Sequence, residues 1–375
     1  MRDRGFDVTA LASPGEALTR FSAELGLPVA AVEMPRRVSP IRDLWAIWRI
    51  VSLLREVRPS IVHAHTPKGG LLGMIASYLV RVPIRVYHLR GLPLMSATGM
   101  RRILLRGTEM VSCQLADRVI CVSHSLREVA IQEGVCPSAK ITVLGAGSGQ
   151  GVDGQDRFNP GELPPGSRQD TRSRFGIPED VPVAGFVGRL VRDKGVAELV
   201  EAWTRLRKEY SDLHLLLVGP FEIQDSIPID ARRILEEDPR VHLAGMDWNT
   251  PPLYAAMDLL VLPTYREGFP NAPLEAAAME LPVVATQIPG CVDAVEEGVT
   301  GTLVPVRDSE ALANAVAMYL DDPELCRRHG RAGRQRVLKE FRPEAIWELL
   351  FAEYRELMSE RGLPMPGSDH TEAHG

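Results

Sequence analysis

The chain of 375 residues has no apolar run long enough to span a bilayer, because Arg81 and Arg85 interrupt the longest candidate, Leu71 to Val86. Its opening residues do not read as a secretory signal. The five cysteines, Cys113, Cys121, Cys136, Cys291 and Cys326, form no CxxC pair. An odd number of isolated thiols fits a reducing compartment and argues against a disulfide framework. The nine histidines show no metal-ligand spacing, so no metal centre is expected.

What remains is an ordinary soluble composition, 45% apolar and 25% charged, at a length that suggests two domains. The net charge of −6 hides an asymmetry: residues 1–165 carry +6 and the remainder −12. A basic first half suits an anionic membrane or a pyrophosphate-bearing acceptor; a solvated face with unevenly drawn charges fits equally.

Short apolar runs alternate with longer amphipathic ones. Strands are expected at Phe6–Leu11, Ile61–Ala64, Ile84–His88, Arg118–Val122 and Ile141–Leu144, with helices near Ile41–Val57, Gly69–Val80, Gly99–Ala116 and Ser123–Glu133. A Gly/Pro/Asp-rich stretch from Gly145 to about Ser167 reads as a linker. Strands then resume at Val181–Val187, His214–Val218, Val241–Ala244, Leu259–Leu262, Val283–Ala285 and Thr302–Val304, before a last helix at Pro343–Met358. Such alternation implies parallel sheets with helices on both faces. The expected division is 1–165, 166–342, a C-terminal helix 343–360 crossing back to the first domain, and a disordered tail 361–375. Gly5 reads as a helix C-cap with almost no helix before it, so the first strand, its loop and most of the first helix are expected to be missing.

Two segments carry chemistry. Tyr265 to Ala278 follows an apolar strand, turns at Gly268 and Pro270, and enters a helix at Pro273-Leu274-Glu275-Ala276. A helix start after a strand is an anion site. Two carboxylates beside it, Glu267 and Glu275, are better used on hydroxyl groups, as a sugar and a ribose flanking a pyrophosphate would offer. Phe186 to Gly195 also follows a strand; there Gly188 allows close backbone approach, and Arg189 and Lys194 can both point at a diphosphate.

GRLxxxKG followed some 75 residues later by EGFPNxxLEA resembles glycosyltransferase family 4 of the GT-B superfamily. Val62 to Gly70, Leu89 to Pro93, Gly151-Val152-Asp153 and Phe158-Asn159-Pro160 resemble members that build bacterial capsule and O-antigen polysaccharides. The resemblance implies two Rossmann-like domains facing across a cleft, with the donor held mainly by the second. It assigns Arg189 and Lys194 to the donor pyrophosphate, Glu267 to the donor sugar and Glu275 to the ribose. Gly245 and Met246 fall where the base docks, and Gly188, Gly268, Phe269, Pro270, Asn271 and Leu274 join the donor-binding set. The family's first-domain histidine falls on Arg90 if Gly91 anchors the alignment and on His88 if the histidine does; both are expected at the cleft or its edge. His63 and His65 share one side of a strand end, and Lys68-Gly69-Gly70 opens a helix that could meet an anion.

The reaction so implied is metal-independent, retaining transfer of a hexose or N-acetylhexosamine from a nucleotide sugar, a UDP-sugar first among them, to a polyprenyl-diphosphate-linked glycan. No clear DxD pair is present: Asp225 and Asp230 are too far apart to form one. No other cofactor and no nucleic-acid partner is expected. Trp45 and Trp48 beside Arg42, Arg49 and Arg55, with Arg101, Arg102 and Arg106 further on, form a membrane-surface pattern that also suits a helix packed on its own sheet. The expected location is the cytoplasm, at the inner membrane face. Two rivals stand: a sugar-nucleotide 2-epimerase of the same architecture, which lacks the paired motifs, and a fragment that binds donor without transfer.

Overall fold

The computed structural model describes residues 1–35 and 39–366, and the chain separates into two compact units. Unit 1 comprises Met1–Val122, Arg127–Leu144 and Trp347 onward; unit 2 comprises Ser123–Leu126 and Gly145–Ile346.

The first half contains β1 (Ala10–Ala12), α1 (Glu16–Leu25), β2 (Val29–Ala31), α2 (Pro40–Val57), β3 (Ile61–His65), α3 (Pro67–Val80), β4 (Ile84–Leu89), α4 (Gly99–Leu115), β5 (Arg118–Cys121), α5 (His124–Gln132) and β6 (Ile141–Val143). β3 to β6 form a parallel sheet in sequence order, while β1 pairs with β2 in a separate parallel ribbon. The strand expected at Phe6–Leu11 is therefore only Ala10–Ala12, and Gly5, with φ 84°, closes a single 3-10 turn. α1 and β2 carry no sequence expectation, because α1 buries no residue and β2 is three residues long. β4 is an apolar strand buried along nearly its whole length, as a central parallel strand must be. One core cluster of unit 1 packs Ile84, Val86, Ile120 and Leu144 against Tyr354, Leu357 and Met358. Leu363 and Met365 pack on that cluster too, so the start of the expected disordered tail is ordered on unit 1, whereas 367–375 lie outside the described residues.

The second half contains α6 (Ser167–Arg174), β7 (Val183–Val187), α7 (Val196–Glu209), β8 (His214–Val218), α8 (Ile229–Glu237), β9 (Val241–Gly245), α9 (Pro251–Ala255), β10 (Leu259–Leu262), α10 (Asn271–Ala278), β11 (Val283–Thr286), α11 (Cys291–Ala294), β12 (Gly301–Val304), α12 (Ser309–Asp321), α13 (Pro323–Glu340) and α14 (Pro343–Glu360). Six parallel strands run in the order β12-β11-β10-β7-β8-β9. Asp308 caps α12 through the Ala311 amide at 2.8 Å, and Asp322 caps α13.

The start of β7 is pinned by a buried charge. Arg172 is 1% exposed and gives its guanidinium to Asp258 and to the carbonyls of Pro178, Glu179, Val181 and Ala256. Asp258 in turn accepts the Val183 amide at 2.8 Å. Every polar atom around this arginine thus has a use, which is the condition for burying it. The stretch expected as a linker holds no helix or strand up to Ser167, yet it is packed within unit 2: Val152 donates to the Phe341 carbonyl at 2.8 Å and Phe158 is buried.

Candidate active site

Topology alone locates a ligand site in unit 2. β7 lies between β8 and β10, so the chain moves outward on one side, then returns to build the other. In open parallel sheets, ligands bind beyond the carboxyl ends of the strands at this reversal. Two loops leave the sheet there, residues 188–195 after β7 and 263–270 after β10.

These loops are the two segments singled out in the sequence, and ion pairs join them. Lys194 Nζ pairs with Glu267, both largely buried, and Arg266 Nη2 meets Asp193 Oδ2 at 2.7 Å. Tyr265 N–H donates to the Asp193 carbonyl at 2.9 Å. Gly195 has φ 67°, and a Cβ there would collide with the Pro263 carbonyl, so only glycine lets the loops approach this closely. Arg189 reaches the half-exposed rim of the site, where Nη1 meets Glu222 Oε2 at 2.8 Å. The expectation that Gly188 provides a close approach needs refinement. A Cβ on Gly188 would meet only the Phe186 ring at 3.5 Å, whereas one on Gly219 would collide with the Gly188 carbonyl. The tight backbone contact therefore belongs to Gly219, while Gly188 has only the Phe186 ring within ordinary contact distance.

α10 starts at Asn271, two residues before the expected Pro273. Proline needs no amide partner in a first helical turn, so Pro273 sits inside the turn rather than opening it. The Gly268 carbonyl accepts Ser123 Oγ at 2.7 Å, and Gly290, at φ 84°, packs too closely on that carbonyl to carry a Cβ. Asp293 fixes the neighbouring turn by accepting the His124 amide at 3.1 Å and the Ser125 hydroxyl. Phe269 stacks on Phe341 at 5.5 Å, and the Leu274 side chain lies in the core at 1% exposure, leaving its backbone as the part able to touch a ligand. Glu275 is one turn into the helix. Tyr254 donates its hydroxyl to Glu275 Oε2 at 2.8 Å; burial raises the Glu275 carboxyl above its ordinary value, while this hydrogen bond and the charge of Arg157 pull it back down. Gly245, with φ 68°, ends β9, and Met246 beyond it is 59% exposed.

In unit 1, His63 and His65 close β3, and His88 on β4 stands in register with His65. The three rings stack, with centroids 4.4 Å (His63–His65), 5.2 Å (His63–His88) and 5.0 Å (His65–His88) apart. His63 Nδ1 contacts the Tyr354 hydroxyl at 2.5 Å, and Arg90 Nε donates to His65 Nδ1 at 3.3 Å. Burial first, with the Arg90 charge adding to it, lowers His65 to about 4 and holds His63 and His88 further below the ordinary histidine value. All three are neutral near pH 7. His88 is buried and Arg90 lies at the carboxyl edge of the sheet, so the two candidates for the family histidine take different positions. Lys68 is held by Asp43 on α2 at 2.7 Å, and Gly70 makes room for the Tyr87 ring rather than for an anion.

α2 and α4 both begin at this carboxyl edge, as helices linking parallel strands must. Their N-terminal halves leave Ile41, Leu44, Trp45 and Trp48, and Met100, Ile103 and Leu104, exposed. Among the described residues no helix is long and apolar enough to cross a membrane.

Sequence reasoning did not find Tyr254, Glu222, the Asp193–Arg266 pair or the histidine trio. Each depends on register between strands or loops far apart in the chain; the alternation of His63 and His65 and the candidacy of His88 were visible beforehand, but not that the three meet.

Comparison with known proteins fits this geometry. Residues 1–147 match the family model described as a glycosyl transferase 4-like domain, and residues 181–322 match the one described as glycosyl transferases group 1. The chain is 32% identical over 360 residues to the capsular polysaccharide biosynthesis glycosyltransferase CapM of Staphylococcus aureus, covering 96% of this chain and 92% of the relative. It is 26% identical over 324 residues to the UDP-Gal:alpha-D-GlcNAc-diphosphoundecaprenol alpha-1,3-galactosyltransferase of Escherichia coli, covering 85% and 81%. The fold is similar to Anabaena Alr3699/HepE, solved in complex with UDP-glucose, at a TM-score of 0.76 and 23% identity over 92% of this chain and 91% of that one.

Proposed function

The chain belongs to glycosyltransferase family 4 of the GT-B superfamily, and from that premise we propose that it transfers a hexose or N-acetylhexosamine, with retention and without a metal, from a UDP-sugar to a polyprenyl-diphosphate-linked glycan. The setting is synthesis of a capsular or O-antigen type of surface polysaccharide, the activity its relatives are named for. The observation that carries this reading is the meeting of two cations and two carboxylates at the reversal of the unit 2 sheet: Arg189, Lys194, Glu267 and, one helical turn further, Glu275.

Each cation pairs with a carboxylate, Arg189 with Glu222 and Lys194 with Glu267. A diphosphate arriving between the loops takes both cations and releases both carboxylates. Glu267 is then free to accept hydrogen bonds from sugar hydroxyls, and Glu275 those of the ribose. As the glycosidic bond breaks, negative charge grows on the leaving diphosphate. Two fixed cations and the amides that open α10 stabilise that charge in place. The exposed indoles of α2 and the apolar first turn of α4, flanked by arginines, suit a peripheral contact with an anionic membrane surface. That contact fits a cytoplasmic enzyme with a lipid-linked acceptor, such as the one named for the Escherichia coli relative.

The test is a donor screen on the purified chain, reading release of nucleoside diphosphate with and without a lipid-diphosphate-linked sugar. Acceptor-dependent release from one UDP-sugar supports the proposal. Interconversion of the donor to its 2-epimer without any acceptor would overturn it in favour of the epimerase reading.

A further inference from the structure

The donor-binding groups described above lie in unit 2, and of the three histidines of unit 1 only His88 is a candidate for the family histidine; His63 and His65 have no part in that reading. Suitable nitrogen atoms of His63, His65 and His88 lie within 4.8 Å of one another. His88 is 4% exposed, yet neither of its ring nitrogens has a hydrogen-bond partner among the described residues, nor does His63 Nε2. Buried polar atoms are seldom left in this condition unless something absent from the chain satisfies them. His63 shows the arrangement typical of a ligating imidazole: its Nδ1 is engaged by the Tyr354 hydroxyl, which orients the ring and leaves Nε2 bare.

We propose that His63, His65 and His88 form a binding site for a borderline divalent transition ion of the Zn²⁺ class, with the fourth position open on the exposed side of His65. Imidazole nitrogen is the ligand type such ions prefer, and three of them with an open position is a known zinc arrangement. The nearly parallel rings, 11° between His63 and His88 and 22° between His63 and His65, present their edges side by side. Small rotations of the side chains would bring the nitrogens to the separation of about 3.4 Å that tetrahedral zinc bonds require. Arg90 opposes the ion: its Nε occupies His65 Nδ1, and its charge repels a cation. An ion using that nitrogen must displace the guanidinium, which gives the site a distinctive response to substitution.

The experiment uses the full chain, stripped of metal with a chelator and titrated with Co²⁺ as an optical probe, followed by displacement with Zn²⁺. One equivalent of Co²⁺ should produce visible bands of a low-coordinate site, and Zn²⁺ should abolish them. His65→Ala, an exposed and structurally mild change, should weaken binding by about tenfold or more, and His88→Asn should remove the bands. Arg90→Ala should tighten binding by roughly tenfold, the opposite of what loss of a supporting residue would do. Absence of a saturable equivalent, or binding that is the same in His65→Ala and His88→Asn as in the unaltered chain, would overturn the proposal. UDP calorimetry on the same samples reads the unit 2 site separately, so failure of one reading leaves the other measurable.

Discussion

Replacing Tyr254 by Phe removes one oxygen atom and tests the assignment of Glu275 to the ribose. The hydroxyl donates to Glu275 Oε2 at 2.8 Å from a residue with no solvent exposure, so no water can take its place. A hydrogen bond to a charged group contributes about 1.5–3 kcal/mol. Burial already raises the Glu275 carboxyl, and the Tyr254 hydrogen bond restrains that rise. Losing it moves the carboxyl further up. Ribose binding uses the ionised form, so protonation of free protein competes with nucleotide. The affinity of the variant should therefore begin to fall at a higher pH than that of the unaltered chain. Calorimetric titration with UDP from pH 5.5 to 8.5, expressed as the ratio of the two dissociation constants, cancels the titration of UDP itself. The ratio should reach about tenfold or more in the acid half of this range and shrink toward alkaline pH. Glu275→Gln should lose affinity throughout and erase the difference. A ratio of one at every pH, with both proteins folded, would refute the role given to Glu275.

Three other outcomes are expected. Glu109, on the buried face of α4, accepts the Tyr87 hydroxyl at 2.7 Å, and burial raises its carboxyl from 4.5 to about 7. Because the folded value lies above the unfolded one, its contribution to stability is full below pH 4.5 and is lost as pH rises through 7. Glu109→Gln should thus gain on the unaltered chain by up to about 3 kcal/mol between pH 5 and 8 in denaturant melts; a constant gap would contradict this. Gly290→Ala should push the Gly268 carbonyl out of place, reducing UDP affinity without unfolding unit 2, as read by calorimetry beside a thermal melt. Trp45→Ala with Trp48→Ala should lower binding to anionic vesicles by roughly thirtyfold, since each half-exposed indole gives up on the order of 1 kcal/mol; unchanged sedimentation with vesicles would remove these residues from any membrane contact.

Strands buried on both faces were easiest to read from sequence. His214–Val218 and Leu259–Leu262 are short continuous apolar runs and stand where expected, because a central parallel strand leaves no polar alternation to confuse the pattern. β1 was expected earlier and longer, at Phe6–Leu11, and β2 was not expected: they pair only with each other and expose much of their surface, so hydrophobic pattern says little about them. α10 was misplaced by two residues because proline is acceptable anywhere in a first turn. Arg189, Lys194, Glu267 and Glu275 were legible as motifs, yet the contact between Lys194 and Glu267 spans 73 residues and needs the sheet order to be seen. Tyr254 gave no signal, since a buried tyrosine has the same local sequence whether it serves the core or a neighbour's carboxylate; His88 was legible as a candidate, but not its place beside His63 and His65, which needs the strand register.

The central claim is that the cations and carboxylates of unit 2 drive sugar transfer. Its most direct test supplies a UDP-sugar labelled in the sugar and a lipid-diphosphate-linked acceptor, then counts label in the lipid extract. The unaltered chain should move label into lipid, and Arg189→Ala with Lys194→Ala should abolish it, since even one lost donor to a developing anion costs about 3–4 kcal/mol of barrier. Near-normal transfer by the double variant would contradict the account.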